Sequence, residues 1–176
     1  MSVLIPLTIL PALVIVGWLA WSIGWHDGHE TCEKAHQPPH RKTVLVSGVF
    51  DMMHPGHVAF LKKAATYGHL HVCVGSDKNV ELLKGEKPRF NEKERCYMVA
   101  AIGCVKQATI SSGMGVLDFE DDIDWINPVV FVVNQDGDSK AKRKLCERRG
   151  IRYYVRHRTP AEGMREFSTT DLKEET

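Results

Sequence analysis

From Thr43 onward, short apolar runs alternate with stretches in which apolar residues recur at helical spacing. Thr43-Val-Leu-Val-Ser47 is too short for a helix and rich in β-branched residues, and Gly48 ends it, so it predicts a buried strand. From Val58 the period changes: Val58, Leu61, Ala64 and Ala65 share a helical face, Lys62 and Lys63 fall off it, and Gly68 follows as a stop. Pro55 and Gly56 then sit at or near the helix start, where proline gives up no intrahelical hydrogen bond. The same reading predicts a strand at 69–75, a short helix at 77–83 ending at Lys84-Gly85, and a helix capped by Asn91 with Glu94 three residues on, its apolar face made by Cys96, Val99, Ala100 and Ile102 before Gly103. A strand at 105–110, a helix at 116–126, a strand at 129–133, a basic helix at 139–149 and a strand at 151–155 complete the series. Such alternation predicts an α/β fold, a Rossmann-like, mainly parallel sheet of five strands with helices on both faces and right-handed crossovers.

The N-terminus follows a different pattern. No charged side chain occurs from Met1 to Trp25. As a helix, Val3 to Trp25 would extend about 34 Å, against a hydrocarbon core of about 30 Å. Trp18, Trp21 and Trp25 gather at one end, as headgroup anchors do, and Pro6 and Pro11 are tolerated in membrane helices. A signal peptide is the rival, but no Lys or Arg precedes the run and bulky Trp-Ser-Ile-Gly-Trp25 closes it. Residues 1–25 are therefore expected to be a single transmembrane anchor. Lys34, Arg41 and Lys42 follow it, which predicts the domain on the cytoplasmic side. Residues 26–42 read as a juxtamembrane linker. His26, His29, Cys32, His36 and His40 within it fit no zinc spacing well, and Pro38-Pro39 makes a stiff spacer.

Residues 43–176 are enough for one domain with a proper core. Lys and Arg number 23 against 22 Asp and Glu, a net charge of +1, which provides no general field for nucleic acid. Lys142, Arg143, Lys144, Arg148 and Arg149 form a basic face on the 139–149 helix, solvated by default, with an anionic membrane surface as the weaker option. The five cysteines show no Cys-x-x-Cys spacing and read as free thiols in a reducing compartment. No Gly-x-Gly-x-x-Gly follows a strand and no Walker-type Gly-Lys-Ser/Thr occurs, which disfavours a dinucleotide oxidoreductase or a P-loop kinase.

The candidate chemistry lies in Gly48-Val-Phe-Asp-Met-Met-His-Pro-Gly-His57, at the turn from the first strand into the first helix. In parallel sheets, ligands bind beyond the carboxyl ends of the strands. Helix N-terminal amides attract phosphate, Gly56 permits close approach, and His54 and His57, three apart, can both face one polyphosphate. Asp51 is expected to orient a histidine or the substrate, or to serve only as a turn residue.

This string resembles the Gly-x-Phe-Asp-x-x-His-x-Gly-His signature of the cytidylyltransferase-like nucleotidyltransferases, which include glycerol-3-phosphate and ethanolamine-phosphate cytidylyltransferases and phosphopantetheine adenylyltransferase. Lys87-Pro-Arg89 with Glu94-Arg95, and Arg158-Thr159 with Glu162-Gly163 and Ser168-Thr169-Thr170, resemble two further motifs, so the likeness runs from about Thr43 to Lys173. Residues 160–161 and 164–167 loosen the last motif, leaving Arg158 and Arg165 both as candidates for phosphate contact. The resemblance implies attack by a substrate phosphate on the α-phosphorus of a nucleoside triphosphate, CTP being favoured, with pyrophosphate leaving. It implies catalytic roles for His54, His57, Lys84 and Arg158, with Lys84 or Lys87 guiding the acceptor. Nucleotide contacts fall on Gly48, Val49, Phe50, Asp51, Gly56, Arg89, Arg165, Ser168, Thr169 and Thr170. It also implies Mg2+ carried by the triphosphate without a dedicated protein site, a small phosphorylated acceptor, and a homodimer as the common assembly. An adenylyltransferase of the same superfamily, and a membrane-tethered module that binds nucleotide without turnover, are the alternatives.

Overall fold

The computed structural model describes residues 42–157, 159–160 and 163–164. The expected anchor at 1–25, most of the linker, and Arg158, Arg165, Ser168, Thr169 and Thr170 lie outside the described residues. Among the described residues no helix is long and apolar enough to cross a membrane.

Five strands, β1 (Thr43–Gly48), β2 (His69–Val74), β3 (Val105–Ile110), β4 (Val130–Asn134) and β5 (Arg152–Arg156), form one sheet in the order β3-β2-β1-β4-β5. Every pairing is parallel. Alternation along β1 assigns its residues to two cores, as a sheet covered on both faces requires. Val44 and Val46 join Val72, Val74 and Val132 beneath Leu61 and Ala64 of α1 (Pro55–Ala65) and Val99 of α3 (Glu92–Ala100). Leu45 joins Cys73, Phe131 and Val133 against Ile123 and Ile126 of α4 (Ile123–Ile126) and Leu145 and Cys146 of α5 (Lys140–Arg148). Burial pushes the Cys73 thiol up to about 12 and the Cys146 thiol up to about 11, so both sit in the core as neutral thiols.

Local signals set the element ends. Ser76 caps α2 (Asp77–Lys84), and Gly85 ends it in the left-handed conformation at φ 73°. Asn91 and Glu94 form the expected capping box on α3. The helix expected at 116–126 is broken into a 3-10 turn, Gly115–Leu117, and the short α4. Two carboxylates explain the break. Asp118 turns inward and accepts from Asn79 Nδ2 at 3.1 Å, while Asp122 accepts from the Ser112 amide at 3.1 Å. Asp118 thus serves α2 and Asp122 the loop at Ser112, where an exposed helix face would have left both in water.

The basic face expected on α5 also needs correction. Lys142 is buried, and its ammonium donates to the Gly137 carbonyl at 3.0 Å. Arg143, Arg148 and Arg149 pair with Asp138, Glu120 and Asp124, so acidic neighbours offset much of that charge.

His71 of β2 is 5% exposed, its Nε2 lies 3.1 Å from Thr109 Oγ1, and its ring meets Trp125 edge-on. Burial lowers its pKa, and nearby Asp122 offsets part of that. A histidine held neutral in the fold binds fewer protons than in the unfolded chain, so its stabilising contribution is present above the unfolded value near 6.5 and is lost as pH falls towards the folded value. The melting temperature of His71→Gln is therefore expected to fall less between pH 7 and pH 5 than that of the wild type. Parallel curves would show that His71 does not control this slope.

Candidate active site

The strand order reverses between β1 and β4, because the chain leaves β1 towards β2 and β3 and later returns to β4 on its other side. The crevice of such a sheet opens at that point, beyond the carboxyl ends of the strands. Val44 pairs with Val130 and Leu45 with Phe131; continuing this register sets Gly48 level with Asn134. The loop 49–54 therefore faces the 3-10 turn Gln135–Gly137 across the crevice.

His54 is the N-cap of α1. Its backbone is extended, and its Nδ1 accepts from the Gly56 amide at 3.2 Å. With Nδ1 used as an acceptor, the proton of the neutral ring belongs on Nε2. The His57 ring lies 4.0 Å from that of His54, centroid to centroid, tilted by 31°. Phe50 meets His57 edge-on at 5.4 Å. One expectation changes here. The amides of His57 and Val58 go to the His54 carbonyl and that of Gly56 to its ring, so the first turn of α1 is already capped by protein.

The loop carries strain that the sequence did not show. Phe50 and Met52 have φ of 54° and 50°, in the left-handed region that non-glycine residues rarely enter. Gly48 makes this possible: a Cβ there would come within 3.0 Å of the Phe50 ring, which folds back over it.

Two buried charges hold the loop in this shape. Asp51, 5% exposed, accepts from the Arg89 amide at 3.0 Å and the Phe90 amide at 3.2 Å. It orients backbone, and the expectation that it orients a histidine is replaced by this tie between the loop 49–54 and the segment before α3. Arg95 is fully buried and donates to the carbonyls of Val49 at 2.6 Å, Gly75 at 2.8 Å and Phe90 at 2.9 Å, and to Asp77 at 2.7 Å. It joins the loops after β1 and β2 to the start of α3. Its burial had a signal in the sequence, since it lies one helical turn before Val99, on the apolar face.

Of the other expected residues, Arg89 is held through its amide while its side chain is exposed, and Lys84 and Lys87 are exposed on the segment that returns to Asp51. The structure thus brings Gly48, Val49, Phe50, Asp51, His54, Gly56, His57 and the Arg89 backbone together. Lys84 and Lys87 stand on an exposed segment whose start is tied through Asp77 to Arg95 and whose end is tied through the Arg89 and Phe90 amides to Asp51. Among the described residues no cluster of three or more His, Cys, Asp or Glu is placed to hold a metal ion.

A family model described as cytidylyltransferase-like matches residues 45–175. The chain belongs to the cytidylyltransferase-like family. It is accordingly a nucleotidyltransferase. Among curated relatives of this family, the FAD synthase of Aciduliprofundum boonei is 38% identical over 119 residues, 64% of this chain and 74% of that protein. The FAD synthase of Methanopyrus kandleri is 38% identical over 121 residues, 65% of this chain and 78% of that protein. The bifunctional protein HldE of Geobacter metallireducens is 35% identical over 117 residues, 62% of this chain, but the match spans only 22% of HldE. A lipopolysaccharide core biosynthesis protein from Thermoplasma volcanium superposes with a TM-score of 0.56 at 23% identity, covering 69% of this chain and 99% of that one, a likeness of fold.

Proposed function

We propose that this cytidylyltransferase-like domain is an adenylyltransferase: a phosphate oxygen of a small acceptor attacks the α-phosphorus of ATP, and pyrophosphate leaves. The observation that carries the transfer chemistry is the His54–His57 pair at the start of α1, its ring centroids 4.0 Å apart, with the His54 ring set by the hydrogen bond its Nδ1 accepts from the Gly56 amide. The choice of ATP is supported by the relatives. FAD contains an adenylate joined to FMN through a pyrophosphate bridge, so a protein named FAD synthase points to adenylyl transfer, and two such relatives align over most of their length. This favours ATP over the CTP expected from the sequence motifs.

In this reading the fold supplies position and charge compensation rather than a covalent nucleophile. His54 and His57 donate to the α- and β-phosphate oxygens as negative charge moves towards the leaving group. Lys84 or Lys87 guides the acceptor phosphate. Arg158 or Arg165, with Ser168, Thr169 and Thr170, holds the β- and γ-phosphates. Asp51, the carboxylate of the signature, is committed to two backbone amides, so it is poorly suited to ligate Mg2+. The ion fits better on the triphosphate oxygens, where it would neutralise charge. Residues 1–25 would hold the domain at the cytoplasmic face of a membrane, with a homodimer as the expected assembly.

The test is pyrophosphate release from ATP, CTP, GTP and UTP, each with FMN, glycerol phosphate, phosphoethanolamine and a sugar phosphate. ATP is expected to exceed CTP by about ten-fold or more in kcat/KM, the discrimination that buried base contacts give. A preference for CTP would overturn the adenylyl reading, and triphosphate binding without release from any acceptor would favour a binding module.

A further inference from the structure

The segment that carries Lys84 and Lys87 is fixed by few buried groups. Asn79 and Val80, in the first half of α2, are 3% and 2% exposed, whereas every residue from 81 to 87 is exposed. Asn79 is thus the last buried polar side chain before Lys84. Its carboxamide is fully engaged: Oδ1 accepts from the Gly115 amide at 2.6 Å, while Nδ2 donates to the Gly115 carbonyl and to Asp118 Oδ2, both at 3.1 Å. Bonding to both main-chain groups of one residue takes a side chain with a donor and an acceptor side by side, as a carboxamide has. The first turn of α2 has its own anchor, since the Asp77 amide donates to Glu92 Oε2 at 2.8 Å and the Asp77 carboxylate accepts from Arg95 at 2.7 Å. Asp77 ties α2 to α3, and Asn79 ties it to the turn Gly115–Leu117, so together they fix its direction.

We infer that Asn79 is a positioning residue for the acceptor: by pinning α2 to the turn Gly115–Leu117 it sets where Lys84 and Lys87 meet the acceptor phosphate. The inference rests on the proposed guiding role of those lysines. Lys84 lies about 7.5 Å along the helix axis beyond Asn79, so a helix held by its first turn alone would swing most at the lysine. Beyond it, the Arg89 and Phe90 amides hold the far end of the segment to Asp51. The nucleotide side is separate. α2 follows β2, whereas the crevice lies between the loops after β1 and β4. The side-chain bonds of Asn79 go to residues 115 and 118 rather than to the loop 49–54 or the turn Gln135–Gly137. Loss of Asn79 is therefore expected to act on the acceptor and spare the triphosphate.

The full chain, Asn79→Ala, Lys84→Met with Lys87→Met, and the triple variant are assayed by pyrophosphate release with the preferred triphosphate and the best acceptor of the panel above. Asn79→Ala is expected to lower kcat/KM for the acceptor about ten-fold, the scale of effect that small misplacements produce, with KM for the triphosphate unchanged. In the triple variant the loss is expected to be no greater than in the lysine variant, because residues that act through one another are not additive. Hydrogen exchange, read in parallel, is expected to quicken at the amides of residues 81–87 in Asn79→Ala and to stay as in the wild type at 49–54. Should Asn79→Ala fail to fold, Asn79→Ser, whose hydroxyl still pairs with one of the three groups, carries the same comparison. A loss of folded protein alone would lower kcat and leave both KM values in place. That result, an equal weakening of the triphosphate, an undiminished Asn79 effect without the lysines, or wild-type exchange at 81–87 overturns the positioning role. An acceptor KM unaltered by Lys84→Met with Lys87→Met overturns the lysines' part in the proposed function, and a wild type without turnover overturns that function; Asn79 is then judged on the exchange at 81–87 alone.

Discussion

His57→Ala is expected to keep the fold and lower turnover by about two orders of magnitude or more, the usual effect of removing a donor that stabilises charge in a transition state. The ring is half-buried between Phe50 and His54, and the backbone amide of residue 57 goes to the His54 carbonyl whatever side chain it carries. The backbone bonds that start the helix do not pass through the imidazole, so the helix is expected to form in the variant. His54→Ala differs in kind. It removes the Nδ1 acceptor of the Gly56 amide, so it is expected to destabilise the chain by about 1 kcal/mol, as loss of an N-cap does, besides lowering turnover. Measuring kcat and melting temperature for both variants separates chemistry from capping. Near wild-type turnover in His57→Ala would remove that residue from the proposed mechanism.

Arg95→Met is expected to be the most destabilising single change in the domain, by about 3–5 kcal/mol, the range for removing one partner of a buried, hydrogen-bonded charge pair. Asp77 is about a third exposed, so its ionic share is modest. The larger part comes from the carbonyls of Val49, Gly75 and Phe90, which lose their donor together. A fall of roughly 10–20 °C in melting temperature follows for a domain of this size. Asp51→Asn is gentler, because an amide oxygen can still accept from one of the two backbone amides, and it is expected to show a larger proportional loss in activity than in stability. If Arg95→Met melts within a few degrees of the wild type, the three loops are held by something other than this guanidinium.

The strands were the most legible part of the chain. The five expected strands formed, all parallel, within a residue or two; in β1, β2 and β4 apolar residues buried on both faces leave few alternatives. The turn carrying His54 and His57 was equally plain, since glycine, proline and a change of period coincide there. What escaped was the polar chemistry of burial. Asp118 and Asp122 fell within one expected helix, yet Asp118 turns to Asn79 of α2 and Asp122 to the Ser112 amide, and the helix is broken into two turns. Lys142 read as one member of a basic face, and only the tertiary fold shows that its ammonium points under the turn after β4. Asp51 read as an orienting group or a turn residue, and its bonds to the Arg89 and Phe90 amides, distant in the chain, were not legible there. A charged side chain looks the same in a sequence whether it meets water, a ligand or a carbonyl; partners distant in the chain decide among these.

The frame formed by Asp51 and Arg95 grips main chain almost throughout: the amides of residues 89 and 90, and the carbonyls of residues 49, 75 and 90. Every amino acid offers that carbonyl, and every one but proline that amide. The scaffold is therefore indifferent to the side chains at 49, 89 and 90, which border the crevice. Those positions can drift under selection for a new acceptor or base while two fixed residues keep the loops in place, an arrangement that allows substrate choice to diversify without refounding the site.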